Sequence, residues 1–254
     1  MKTMMKWLMR ILLAMVALLV VVVLIVAGLI YYDSITAPTA DELTNVTYTG
    51  EDGTQLQGYL ATPDEPGPHP AVLLIHEWWG LNEGMIVLAD ALADEGYVVL
   101  APDAYRNRVT TRFQRALWMV LTTPEEQIFH DVDSALAHLL TLDSVDSDRV
   151  ATMGFCFGGG HSLQLGMRQS QSLALTIVYY GALVTEPDLL RPLTDSQPVL
   201  GIFAGEDAQI TRADVIEFEA ALNSLNIENE ITIYEGVEHA FLNEDNYDQP
   251  AGPG

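Results

Sequence analysis

Past Lys6 this chain contains no lysine, and past Arg10 only eight arginines supply positive charge: Arg106, Arg108, Arg112, Arg115, Arg149, Arg168, Arg191 and Arg212. All 35 aspartates and glutamates fall after residue 32, so everything beyond that point carries a formal charge of −27. Such a surface repels nucleic acid and anionic lipid headgroups, so net charge brings neither to the body and no nucleic-acid partner is expected. The missing lysine also removes a phosphate-loop reading of Gly158-Gly159-Gly160. Cys156 is the single cysteine, which excludes an intrachain disulfide and argues against a structural zinc site. No histidine, aspartate or glutamate set has metal-ligand spacing, and no cofactor is expected. The acidic surplus serves solubility, and it suits high salt, where screening relieves self-repulsion. Melting temperature is therefore expected to rise with added NaCl; a flat series would remove the idea.

Charge is missing altogether from Ile11 to Tyr32, a run of 22 residues. As a helix this run extends about 33 Å, enough to cross the hydrocarbon core. Val16 to Ile30 is apolar on every face, unlike a core helix. Lys2, Lys6 and Arg10 precede it, and Asp33, Asp41 and Glu42 follow it. This asymmetry predicts a cytoplasmic segment 1–10, a transmembrane anchor 11–32, a linker 33–43, and a body 44–254 on the periplasmic or extracellular side. The competing reading is a cleaved signal peptide followed by secretion. The run is longer than an ordinary signal core, and no A-x-A site follows it.

The body alternates strand and helix patterns. Thr44 to Gly50 and Gln57 to Thr62 read as paired edge strands around Glu51-Asp52-Gly53. Ala71 to Ile75, Tyr97 to Ala101, Arg149 to Met153, Leu173 to Tyr180, Val199 to Ala204 and Glu230 to Tyr234 are buried strands. Met85 to Glu95, Pro124 to Leu142 (with Thr123 as N-cap) and Thr211 to Leu225 read as helices. The pattern predicts an α/β fold with a mainly parallel sheet covered on both faces, preceded by one transmembrane helix. No internal repeat is present.

One stretch carries chemistry. Gly154-Phe155-Cys156-Phe157-Gly158-Gly159 lies between a strand and a helix start. It reads as a nucleophile elbow with sulfur in place of the usual oxygen, its glycines sparing a sharp turn from side-chain clashes. A small buried hydrophobe is the competing reading of Cys156. In parallel sheets functional groups collect past the carboxyl ends of strands. Glu77, Cys156, Asp207 and His239 all fall there, and the order Cys156, Asp207, His239 is that of a nucleophile–acid–histidine triad. The thiol must lose its proton to attack; His239 is placed to accept it, with Asp207 holding the imidazole tautomer. The competing reading of Asp207 is a helix N-cap, and Glu206 competes for the acid's role. The backbone N–H groups of Phe157 and Trp78 are the expected oxyanion donors. Trp78, Trp79, Trp118 and Phe157 are expected to line an apolar pocket or to belong to the core. His130 and His138 are expected to face solvent.

HEWWGLN (76–82), GYVVLAPDAY (96–105), GFCFGGG (154–160), YYG (179–181), AGEDAQI (204–210) and EHAF (238–241) together resemble the dienelactone hydrolase family of the α/β-hydrolase superfamily. The likeness runs from about Thr47 to Asn246. It implies an α/β-hydrolase fold and a hydrolase of small esters and lactones. It also implies a Cys156, Asp207, His239 triad acting through a thioester, with Glu77 as a fourth member that controls thiolate formation. Substrate contacts would come from Trp79, Arg106, Arg108 and Phe241. Members specific for dienelactone hold its carboxylate with arginines, one shortly after the histidine; here that stretch reads Leu242-Asn243-Glu244-Asp245. Dienelactone itself is thus the less favoured substrate. The resemblance also implies a last helix that Pro250-Ala251-Gly252-Pro253 does not form, leaving a face for an oligomer partner to cover. A non-catalytic binding protein on the same scaffold is the alternative from a different class, and a thiol-dependent peptidase or acyltransferase is a third reading.

Overall fold

The computed structural model describes residues 2–195 and 198–243. Expectations about Glu244, Asp245 and the 250–253 tail lie outside those residues. The chain forms helix α1 (Lys2–Thr36), strands β1 (Val46–Thr49), β2 (Gln55–Ala61) and β3 (His69–Ile75), then α2 (Glu83–Asp94), β4 (Val98–Pro102), α3 (Phe113–Thr122) and α4 (Glu125–Leu139). The elbow strand β5 (Val145–Phe155) runs into α5 (Phe157–Arg168), followed by β6 (Leu175–Tyr179), α6 (Pro187–Leu190), β7 (Val199–Ala204), α7 (Arg212–Ser224) and β8 (Asn229–Tyr234).

One eight-stranded sheet has the order β1-β2-β4-β3-β5-β6-β7-β8. β1 with β2, and β2 with β4, pair antiparallel; the remaining neighbours are parallel. The continuous apolar runs became the central strands because both faces are covered. Leu73, Ile75, Val98 and Leu100 pack on one side with Val132, Leu136 and Leu139 of α4. Val72, Leu74, Val99 and Ala101 pack on the other with Met85, Ala89 and Ala93 of α2. The register brings Ile75 beside Gly154, Phe155 beside Tyr179, and Ala204 beside Tyr234. The carboxyl ends of β3, β5, β6, β7 and β8 therefore lie along one edge, which is what gathers Glu77, Cys156, Tyr180, Asp207 and His239.

Two local expectations are corrected. Thr123 does not cap α4, whose N-cap is Pro124 with no side-chain bond; its hydroxyl instead donates to the Met119 carbonyl and closes α3, a helix the sequence pattern did not reveal. His130 and His138 are half-buried: His130 faces Asp131 and Asp52, and His138 stacks on Tyr48. The stretch 33–43, read as a linker, is tied to the body at two points, although most of its residues are exposed. α1 continues to Thr36, Asp33 is buried, and Ala40 sits fully inside the core cluster of α2.

Close approach makes two elbow glycines indispensable. A Cβ on Gly154 would lie 2.0 Å from the Gly158 carbonyl oxygen, and one on Gly158 would lie 2.2 Å from that of Ile75. Backbone, not a flexible side chain, would have to move. Gly158→Ala should cost about 1–3 kcal/mol or more, lowering the melting temperature of the full chain in detergent by roughly 3–10 °C. An unchanged melt would show that the elbow is looser than these contacts imply.

Candidate active site

Cys156 occupies the bend between β5 and α5 with φ 53° and ψ −114°, a backbone state that costs energy for a residue with a Cβ. The bend is held because the Cys156 N–H donates to the Tyr179 carbonyl at 3.0 Å, and the α5 turn closes on the Cys156 carbonyl from Gly159 and Gly160. The sulfur is thereby lifted to the edge of the sheet, half-buried.

His239 arrives from the loop after β8. That loop is tied to the acid's loop: the Gly205 N–H donates to the Tyr234 carbonyl and the Glu206 N–H to that of Val237. The imidazole Nε2 lies 3.1 Å from the Cys156 Sγ, and Nδ1 lies 2.6 Å from the Asp207 Oδ2. Asp207 has a side chain 1% exposed, whereas its competitor Glu206 points to solvent. Oδ1 of Asp207 accepts the Gln209 and Ile210 amides at 2.7 and 3.0 Å and so braces the loop, but the helix N-cap reading of this residue is corrected: α7 is capped by Thr211. With the carboxylate accepting Nδ1–H, the imidazole presents a bare Nε2 to sulfur. The Tyr180 ring packs edge-on against the imidazole at 5.2 Å between centroids and fixes its plane.

Glu77 is buried beside the thiol. Its Oε2 accepts from Asn243 Nδ2 at 3.1 Å, and its Oε1 is buried with no partner. Burial pushes its carboxyl above the usual carboxylate range, and the Asn243 hydrogen bond opposes that. Burial is also the main force on Cys156, followed by the charge of Glu77; together they push the thiol up to about 12, against a hydrogen bond from the Phe157 amide. Burial and the Glu77 charge thus both act against the thiolate. Removing the neighbouring negative charge makes thiolate cheaper, so Glu77→Gln should move the pH profile of Cys156 alkylation to lower pH. An inflection that stays in place or rises would overturn this account of Glu77.

Of the expected oxyanion donors, Phe157 opens α5 with its amide toward the sulfur. Trp78 sits in a turn closed by the Gly80 N–H on the Glu77 carbonyl, which leaves its own N–H outside that bond. Trp78 packs edge-on with Trp79 at 5.0 Å and with Phe113 at 5.3 Å. Phe241 joins Tyr180 at 5.6 Å on the flank of His239. Two expected pocket residues lie elsewhere: the Phe157 ring is packed among His76, Tyr105 and His161, and Trp118 stands half exposed on α3. Arg106 makes two bonds to Asp131 at 2.8 Å, and Arg108 donates to the Tyr105 carbonyl and to Thr123. Sequence reasoning passed over Asn243 and Tyr180 as site residues. YYG was visible as a motif past β6, but a lone asparagine four residues after a histidine carries no pattern.

The dienelactone hydrolase family model matches residues 56–251. This chain belongs to that family. Within it, a Saccharolobus solfataricus protein named "Putative carboxymethylenebutenolidase" is 32% identical over 230 residues, covering 76% of this chain and 86% of its own. A Yersinia pestis protein of the same name is 29% identical over 202 residues, covering 74% and 75%. The crystal structure of a Klebsiella pneumoniae protein named "Putative Dienelactone Hydrolase" superposes with a TM-score of 0.68 at 28% identity, over 78% of this chain and 89% of that one. The chain is thus a dienelactone hydrolase-like hydrolase with an α/β-hydrolase fold, and it carries in addition an N-terminal apolar helix of spanning length.

Proposed function

We propose that this chain is a membrane-anchored hydrolase of small esters or lactones, with Cys156 as nucleophile. The observation that carries the reading is the relay from Sγ to imidazole at 3.1 Å and on to a buried carboxylate at 2.6 Å. The thiol proton passes to His239 Nε2 as the sulfur–carbon bond forms, and Asp207 stabilises the imidazolium. The carbonyl oxygen takes up the charge and is met by the Phe157 and Trp78 amides. Collapse breaks the ester carbon–oxygen bond, and the leaving oxygen takes the proton back from His239. In a lactone that oxygen stays tethered to the acyl group. Water, deprotonated by His239, then cleaves the thioester, releases the carboxylic acid and restores the thiol.

The bonds that occupy Arg106 and Arg108 favour uncharged substrates over a carboxylate-bearing one. α1 is read as a retained anchor because its end is built into the body: Asp33 is buried and bonded to Thr110 and Arg112. Lys2, Lys6 and Arg10, at the N-terminal end of α1, support a body on the outer side. The full chain in detergent should turn over p-nitrophenyl acetate, and stoichiometric alkylation of its one cysteine should abolish turnover. Activity that survives complete alkylation would falsify the nucleophile assignment. Protease added to intact cells should shave the body; full protection would reverse the orientation.

A further inference from the structure

α3 is amphipathic in the wrong sense for a helix on a water-soluble surface. Ala116 and Met119 face the core, while Phe113, Leu117, Trp118 and Leu121 point outward, 57%, 39%, 50% and 73% exposed. Spacings of four along Phe113, Leu117 and Leu121 put these three on one stripe, with Trp118 flanking it. A cluster of this kind on an otherwise acidic body needs a partner.

The position of the helix names that partner. The Arg112 guanidinium, at the N-cap of α3, pairs with Asp33 at 3.1 Å and lies over the Tyr32 ring at 5.6 Å. Thr110 donates to the other Asp33 oxygen at 2.6 Å. Tyr32 is the last residue of the uncharged run, so α3 starts at the level where α1 leaves the hydrocarbon. Aromatic residues concentrate at that level, and helices with an apolar face and flanking arginines lie in it. Half of the arginines in the body fall between Arg106 and Arg115, two of them, Arg112 and Arg115, at the start of this helix.

We propose that α3 is an interfacial helix, which seats the catalytic body on the phospholipid surface through Phe113, Leu117, Trp118 and Leu121. The proposal rests on α1 being a membrane anchor. It also places the reactive sulfur close to lipid. Phe113 packs on Trp78, and the Thr110 N–H donates to the Trp79 carbonyl at 3.0 Å, so the helix touches the turn beside Cys156.

The test uses the full chain with Cys156→Ala, reconstituted in vesicles of phosphatidylcholine and phosphatidylglycerol. A nitroxide is carried in turn by Leu121→Cys, by Val20→Cys in α1, and by Ile216→Cys on the exposed face of α7. Power-saturation spectroscopy compares collision with oxygen, which dissolves in lipid, against a water-soluble nickel chelate. Positions 20 and 121 should both favour oxygen, with 121 shallower, and 216 should favour nickel. Position 20 in lipid with 121 as nickel-accessible as 216 overturns the interfacial helix and leaves the anchor standing. Position 20 in water overturns both. Dipolar broadening between labels at 121 shows a second copy on that face and also overturns the proposal.

Discussion

Cys156→Ala should lower kcat/KM for p-nitrophenyl acetate by about 10⁴-fold or more, with the melting temperature little changed. The loss is large because the other parts act through sulfur: the imidazole has no proton to take, and the two backbone amides stabilise an oxyanion that no longer forms covalently. The fold should survive, because the strain at φ 53° belongs to the bend and Ala replaces the thiol with a smaller group in a half-buried position. Quenching the wild-type reaction in acid should trap an acyl group on Cys156 by peptide mass analysis. A variant that keeps wild-type turnover, or an acyl group found on another residue, would remove sulfur from the chemistry.

Asp207→Asn should follow, at about 10⁴-fold in kcat. The substitution keeps shape. Its oxygen can still accept the Gln209 and Ile210 amides, so the loop after β7 should hold. What changes is the group facing His239 Nδ1: an amide N–H donor stands where a carboxylate oxygen accepted. The imidazole then carries its proton on Nε2 and confronts the thiol with a donor, so neither can take a proton from the other. Glu206→Gln, one residue away but solvent-facing, should leave turnover at the wild-type level. If the two variants exchange behaviours, the acid has been misassigned.

The two cases show what was legible in the chain. The strand ends could be read because buried parallel strands are continuous apolar runs, and the residues just past them were candidates by position alone. Adjacent acids at 206 and 207 could not be separated that way; which one turns inward depends on the backbone of a loop that carries no periodicity. Thr123 is a further case. Threonine before proline and two glutamates resembles a helix start, yet its hydroxyl finishes the preceding helix. That helix was missed for a physical reason: pattern reading assumes that apolar residues point toward a core, and those of α3 point away from it. Arg106 reads as a free cation near the site and is held by Asp131, a residue whose burial on α4 becomes evident only once the helix has been packed.

The resting state of the sulfur bears on how long such an enzyme lasts. Peroxides and other mild oxidants attack thiolates far faster than thiols, and the products beyond sulfenic acid are permanent. Burial and a neighbouring carboxylate disfavour the ionised form of Cys156, and a thiol offers those reagents far less to react with. If the body lies on the outer side of a membrane, as proposed above, an acid residue that disfavours ionisation of the thiol would act there as a preservative against oxidation.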